Sequence, residues 1–141
     1  MTIAAKPEKI AVPDVFVEAC PSRQVLARVG EKWTLMSVVA LADAPLRFGA
    51  LQRRLEGVSR KVLSQTLRNL ESDGLLSRQV VERRPLHVTY TLTPLGRSLV
   101  PLALALKAWS EGNLHEIRRA NEAFSRAPRQ PGELVDRGAP R

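Results

Sequence analysis

The sequence predicts a mainly α fold with a small β-hairpin (α+β), and three observations carry that expectation. Four stretches between Cys20 and Asp73 read as helices, from apolar periodicity or from their cap and stop residues. Residues 75–81 and 87–93 alternate apolar and polar side chains, with β-branched and aromatic types, as strands do. A long helical stretch with an apolar stripe then runs over residues 94–124.

Each element has a local reason. Residues 1–13 hold Pro7 and Pro13 and little periodicity, so a flexible arm is expected there. "CPSRQVLARVG" suits a short helix, with Pro21 in its first turn and Gly30 at its end. "KWTLMSVVALADAP" is largely apolar, which predicts a buried second helix stopping before Pro45. "LRF" is a short extended link. "FGALQRRLEG" gives a third helix, with Phe48, Leu51 and Leu55 on one face and Gly57 as its stop. Ser59 caps a fourth helix and Gly74 ends it. "ERRPL" is the loop between the two strands. Thr93 then caps the final helix and Pro94 starts it, with Pro101 a candidate kink and Gly112 a candidate break. Pro and Gly recur through residues 127–141, so a disordered tail is expected. The folded part is accordingly placed at residues 14–126. Helix, helix, link, helix, turn, helix, strand, loop, strand, long helix is the order of a winged helix-turn-helix with a long C-terminal dimerisation helix.

Charge says what such a domain could meet. The 141 residues carry 22 basic and 14 acidic side chains, a net charge of +8. That excess favours polyanionic partners such as nucleic acid or an anionic membrane surface. Between Arg47 and Arg84 there are nine basic residues against Glu56, Glu71, Asp73 and Glu82, so much of the excess lies on the helix-turn-helix and its hairpin. On a helical wheel Arg60, Lys61, Ser64, Gln65 and Arg68 span about 140°, while Val62, Leu63, Thr66, Leu67 and Leu70 fill the opposite arc. Such a face fits either solvent or the major groove, where Gln pairs with adenine and Arg with guanine. The basic surroundings favour the groove. Ser59, Arg60, Lys61, Ser64, Gln65 and Arg68 are the candidate DNA-contacting residues of this helix. Arg83 and Arg84 at the hairpin tip are candidates for the backbone or minor groove.

Leu95, Leu99, Leu102, Leu106 and Trp109 step by four and three, a heptad-like seam. Leu95 and Leu99 are expected to pack within their own chain. Leu102, Leu106, Trp109, Ile117 and Phe124 are expected to meet a second copy. A two-fold dimer would set two recognition helices about 34 Å apart and select a near-palindromic operator.

Cys20 is the single cysteine, so no disulfide forms within the chain. That suits a reducing cytoplasm. At a helix start beside Pro21, with Arg23 one turn on, its thiol is a candidate redox sensor; packing as a small hydrophobe is the alternative. The longest apolar run is too short to cross a bilayer, so no membrane partner is expected. Two histidines, His87 and His115, lie far from each other and from Cys20, and nothing resembles a phosphate loop, a nucleophile triad or an acidic metal cluster. Neither catalysis nor a cofactor is expected.

Several motifs in order carry a family resemblance: "CP" at Cys20-Pro21, "GEKWTL" from Gly30, "RFGAL" from Arg47, "SRKVLSQTLRNLESDGLLSR" from Ser59 and "VTYTLTPLGRSLVPL" from Val88. This series resembles the HxlR-type winged-helix transcription regulators, within the wider group of MarR-like and ArsR-like repressors. It departs from them at Ala50, where an acidic residue is common, and at Pro85-Leu86, where paired prolines are common. The resemblance implies a homodimeric DNA-binding transcription regulator, paired through terminal helices, and an oxidant or electrophile effector acting at the "CP" cysteine in some relatives. A protein-interaction winged helix and a small-ligand-sensing regulator are the alternatives. An RNA-binding module is disfavoured, because only 4% of residues are aromatic and the basic face has none to stack on bases.

Overall fold

A computed structural model describes residues 12–128. Its elements are α1 (Ser22–Val29), α2 (Lys32–Leu41), β1 (Leu46–Arg47), α3 (Phe48–Arg54), α4 (Arg60–Ser72), β2 (Leu76–Val81), β3 (His87–Leu92), α5 (Pro94–Gly112) and α6 (Leu114–Arg126). They belong to two compact units that divide after Leu104. The expected arm falls, but for Val12 and Pro13, outside the described residues. So does the expected tail from residue 129 on.

The chain's own punctuation sets the boundaries. Ser59 caps α4 by accepting from the Val62 N–H at 3.1 Å. At its other end the Gly74 N–H reaches Glu71 O and the Leu75 N–H reaches Leu70 O. With Gly74 at φ +75°, this is a Schellman motif. Gly57, at φ +91°, makes the turn between α3 and α4, and α3 itself stops at Arg54. Glu31 caps α2 by accepting from the Thr34 N–H at 3.0 Å. That helix ends at Leu41, before Pro45 as expected. Helix α5 runs through Pro101, and the break after Gly112 falls where glycine predicts it.

The expected "LRF" link is a strand in part. Leu46 and Arg47 pair antiparallel with Tyr90 and Thr89, giving a three-stranded sheet in the order β1-β3-β2. The hairpin register runs from Leu76 opposite Leu92 to Val81 opposite His87.

In the first unit the core is leucine-rich. Val38, Leu41, Leu51, Leu55, Leu63, Leu67 and Leu70 from α2, the α3 turn and α4 are each at most 2% exposed. Burying one such side chain stabilises by about 1.5–3 kcal/mol. Leu76 and Leu92 carry the core onto the sheet, and Ala103 closes it from α5. Gly96 is also buried, and Leu99 and Val100 pack against the core. The inward stripe of α5 is therefore 96, 99, 100 and 103. Leu99 packs inside as expected, but Leu95 does not: it lies one step off that stripe and is 57% exposed.

Candidate nucleic-acid interface

Helix α4 separates its two faces cleanly. Leu63, Thr66, Leu67 and Leu70 are buried against α2 and β2. Ser59, Arg60, Lys61, Ser64, Gln65 and Arg68 are all exposed. Val62, placed with the apolar arc from sequence, is 41% exposed. It lines a groove of about 790 Å³ between α1 and α4 instead, because α1 stands off from that edge of the helix. The Arg28–Asp73 ion pair, at 2.5 Å, ties α1 to the end of α4 across the same groove.

Two of the exposed side chains are held in place. The Arg60 guanidinium lies over the Phe48 ring, 4.9 Å from its centroid. Gln65 Nε2 donates to Asn69 Oδ1 at 2.9 Å. Neither contact consumes the group's capacity. Guanidinium has five N–H donors, and the Gln65 carbonyl stays open to accept.

At the hairpin tip, residues 82–86 are exposed, Arg83 and Arg84 among them. A ring nitrogen of His87 lies 3.1 Å from Pro85 O, bracing the loop. Among the described residues the ion pairs are Arg28–Asp73 and Lys107–Glu111, so no acidic partner neutralises Arg60, Lys61, Arg68, Arg83 or Arg84.

A second groove, of about 760 Å³, lies between α4 and the hairpin. Arg60, Ser64 and Arg68 line it from α4, and Arg78 and Tyr90 from the strands. Arg78 is absent from the candidates drawn from sequence. Its signal was strand parity, since it shares a side of β2 with Leu76 and Val80, where an apolar residue is the norm.

Cys20 is half-buried, with Sγ 3.0 Å from Ser22 Oγ. Hydrogen bonding from the Ser22 hydroxyl, then from backbone at Ser22 and Asp14, holds the thiol below its ordinary range, against weaker opposition from burial and the Asp14 carboxylate. Arg23, expected to help, does not. Its guanidinium is turned away to Val15 O at 3.1 Å and Phe16 O at 3.4 Å.

In α5 and α6, Leu102, Leu106, Trp109, Ile117 and Phe124 are 66%, 48%, 59%, 40% and 79% exposed. Among the described residues no helix is long and apolar enough to cross a membrane, and no His/Cys/Asp/Glu group could hold a metal ion.

Comparison with known proteins gives a consistent picture. The HxlR-like helix-turn-helix family matches residues 28–118. The uncharacterized HTH-type transcriptional regulator YtfH of Escherichia coli (strain K12) is 44% identical over 104 residues, covering 74% of this chain and 82% of its own. A solved structure of ytfH from Salmonella typhimurium, described as a transcriptional regulator, superposes with a TM-score of 0.72 at 43% identity, covering 78% of this chain and 98% of that one. The redox regulator HypR in its oxidized form superposes with a TM-score of 0.62 at 35% identity, covering 67% and 97%.

Proposed function

Since the chain belongs to the HxlR-like helix-turn-helix family, whose members are DNA-binding transcriptional regulators and not enzymes, we propose that it acts as a homodimer on a near-palindromic operator. The exposed face of α4 enters the major groove, and Arg83 and Arg84 rest on the neighbouring backbone or minor groove. The observation that carries this reading is the α4 face itself, a row of exposed cations, outside any ion pair among the described residues, with amide and hydroxyl groups between them and buried leucines behind. Phosphate contacts supply most of the affinity, and Ser64, Gln65 and Arg68 most of the base choice.

The second copy covers apolar surface that a lone chain leaves in water. Leu102, Leu106 and Trp109 repeat at four and three along α5, and Ile117 and Phe124 extend the apolar surface on α6. The pairing gives each operator half-site its own recognition helix.

Cys20 makes the regulator responsive to oxidant or electrophile. The lowered thiol and its partial access supply a reactive thiolate. The likeness to a redox regulator, HypR, supports the same assignment. Oxidation of a lone thiol yields a sulfenic acid, a mixed disulfide with a small thiol, or a bridge between subunits.

Footprinting of the purified protein on genomic DNA, with and without diamide, tests this function. Protection of a two-fold symmetric site, changed by oxidant in the parent and unchanged in Cys20→Ser, is the expected result. A protein bound to no duplex at low salt would overturn it.

A further inference from the structure

Arg78 occupies a position that strand parity assigns to an apolar side chain. In the hairpin, the rungs Leu76–Leu92, Arg78–Tyr90 and Val80–Val88 share one side of the sheet. The first rung is core, with Leu76 and Leu92 at 2% and 4% exposure. Helix α4 packs against β2, so this side of the sheet looks toward α4. One rung further along, the hydrocarbon is replaced by an exposed guanidinium.

That guanidinium joins two others. Arg60, Arg68 and Arg78 line the same groove of about 760 Å³, with Glu71 as the acidic side chain beside them. Among the described residues none of the three arginines is in an ion pair. Three cations against one carboxylate around a single concavity repel one another, and an anion seated among them would relieve that repulsion. Planar guanidinium forks match phosphate oxygens, and Tyr90 belongs to the same lining.

The groove also runs beside the solvent face of α4. A helix in the major groove is flanked by the backbone of the strand it lies along, so phosphates fall to the side of α4 rather than under it. We propose that this groove is a phosphate site, in which Arg78 and Arg60 grip one phosphodiester of the bound duplex between α4 and the hairpin, while Arg68 adds its charge from the rim and keeps its donors for the bases. The proposal rests on the DNA-binding function above. It adds a contact from the side of the sheet, distinct from the loop tip at Arg83 and Arg84.

The test is duplex binding by fluorescence anisotropy across a range of KCl concentrations, on a cognate and an unrelated sequence, for the parent, Arg78→Gln and Arg78→Lys. Arg78→Gln should weaken both duplexes alike and lower the slope of log K against log salt by about one, with Arg78→Lys recovering the slope. A parental slope in Arg78→Gln, while the parent itself binds in a salt-dependent way, overturns the phosphate site and leaves the DNA function standing. A parent indifferent to duplex overturns both. If Arg78→Gln fails to fold by thermal melt, the arginine Nε resonance of Arg78 in the parent decides: it must move on adding duplex, and a stationary signal refutes the contact. Inorganic phosphate, titrated without DNA, separates a free-anion site from a DNA site. Saturation of the Arg78 signal by phosphate, combined with a parental slope in Arg78→Gln, assigns the groove to a small anion and overturns the proposal.

Discussion

The guanidinium of Arg60, the first residue of α4, lies over the ring of Phe48, the first residue of α3, 4.9 Å from its centroid. The two helices of the helix-turn-helix are thus joined at their N-terminal ends by a cation–π contact. It restrains an arginine at the end of α4 that leads into DNA. Phe48→Leu keeps apolar bulk against the core and removes the aromatic face. The expected loss is about 0.5–1 kcal/mol of duplex affinity, with the melting temperature nearly unchanged. In an Arg60→Ala background the same substitution should cost nothing further. Anisotropy on the four proteins of that cycle measures the coupling, and additive losses would separate Phe48 from Arg60.

Arg68 and Arg84 should fail differently. Arg68 lies on the exposed face of α4 and Arg84 on the hairpin loop. Arg68→Ala should cost about 1–3 kcal/mol at the cognate site and relax the preference at one base position. Arg84→Ala should weaken all duplexes alike and reduce the salt slope by about one. Selection from a randomised half-site, followed by salt titration, reads both. The assignment to Arg68 does not survive unchanged base preference, and an unchanged slope removes Arg84 from the contacts.

A side chain on Gly96 has nowhere to go. A Cβ there would stand 2.0 Å from the Leu75 carbonyl oxygen and 3.2 Å from Leu92 Cδ2. Backbone causes the clash, so no rotamer relieves it. The approach is fixed by Thr93, whose hydroxyl donates to Gly74 O at 2.6 Å and accepts from the Gly96 N–H at 3.1 Å. Its own N–H reaches Leu75 O at 3.1 Å. Gly96→Ala should therefore cost about 3 kcal/mol or more, at the upper end of overpacking, although alanine is the better helix former. Urea unfolding gives the value, and a neutral or stabilising result would show that α5 can lift off the end of α4.

What the sequence discloses and what it withholds divide along range. The caps of Ser59 on Val62 and of Thr93 on Gly96, and the stop at Gly74, act within a few residues, so they could be read directly. The amphipathic wheel of α4 separated Leu63, Leu67 and Leu70 from Arg60, Ser64 and Arg68 for the same reason. Leu46 and Arg47 are too short a run to alternate, and their strand exists only through Tyr90 and Thr89 far along the chain. The placement of Gly96 rather than Leu95 against the core depends on where α5 meets Leu75, which no periodicity encodes. Arg23 looked like a neighbour of Cys20 by spacing, but two backbone carbonyls compete for it. Arg78 is legible from sequence: its parity with Leu76 and Val80 puts a cation on the side of the strand where apolar residues stand.

Ser37 sits inside α2 with no exposure, and its hydroxyl has no hydrogen-bond partner among the described residues. The polar atom loses water on folding and gains nothing for it. Ser37→Ala should be neutral or stabilise by up to about 1 kcal/mol, unlike most buried substitutions. Thermal and urea unfolding measure it, and a clear destabilisation would reveal a partner for the hydroxyl.

Cys20 should owe its acidity to Ser22 before anything else. A hydroxyl 3.0 Å from Sγ donates to the thiolate and cannot serve the thiol as well, so it favours the charged form. Ser22→Ala removes the largest influence, and the thiol must then titrate at higher pH. Arg23→Ala should leave the titration where it is, because that guanidinium faces Val15 and Phe16. Iodoacetamide alkylation followed by mass spectrometry across pH separates the two: slower at neutral pH with a curve displaced upward for Ser22→Ala, and a parental curve for Arg23→Ala. The linkage has a definite sign. A folded-state pKa below the unfolded one adds stability above the ordinary thiol value and loses it as pH falls through the folded one, so the alkaline gain should shrink in Ser22→Ala, with the backbone contributions of Ser22 and Asp14 left in place. If Arg23→Ala moves the curve and Ser22→Ala does not, the thiol is tuned by charge rather than by the hydroxyl, and its response to oxidant should then fall with rising salt.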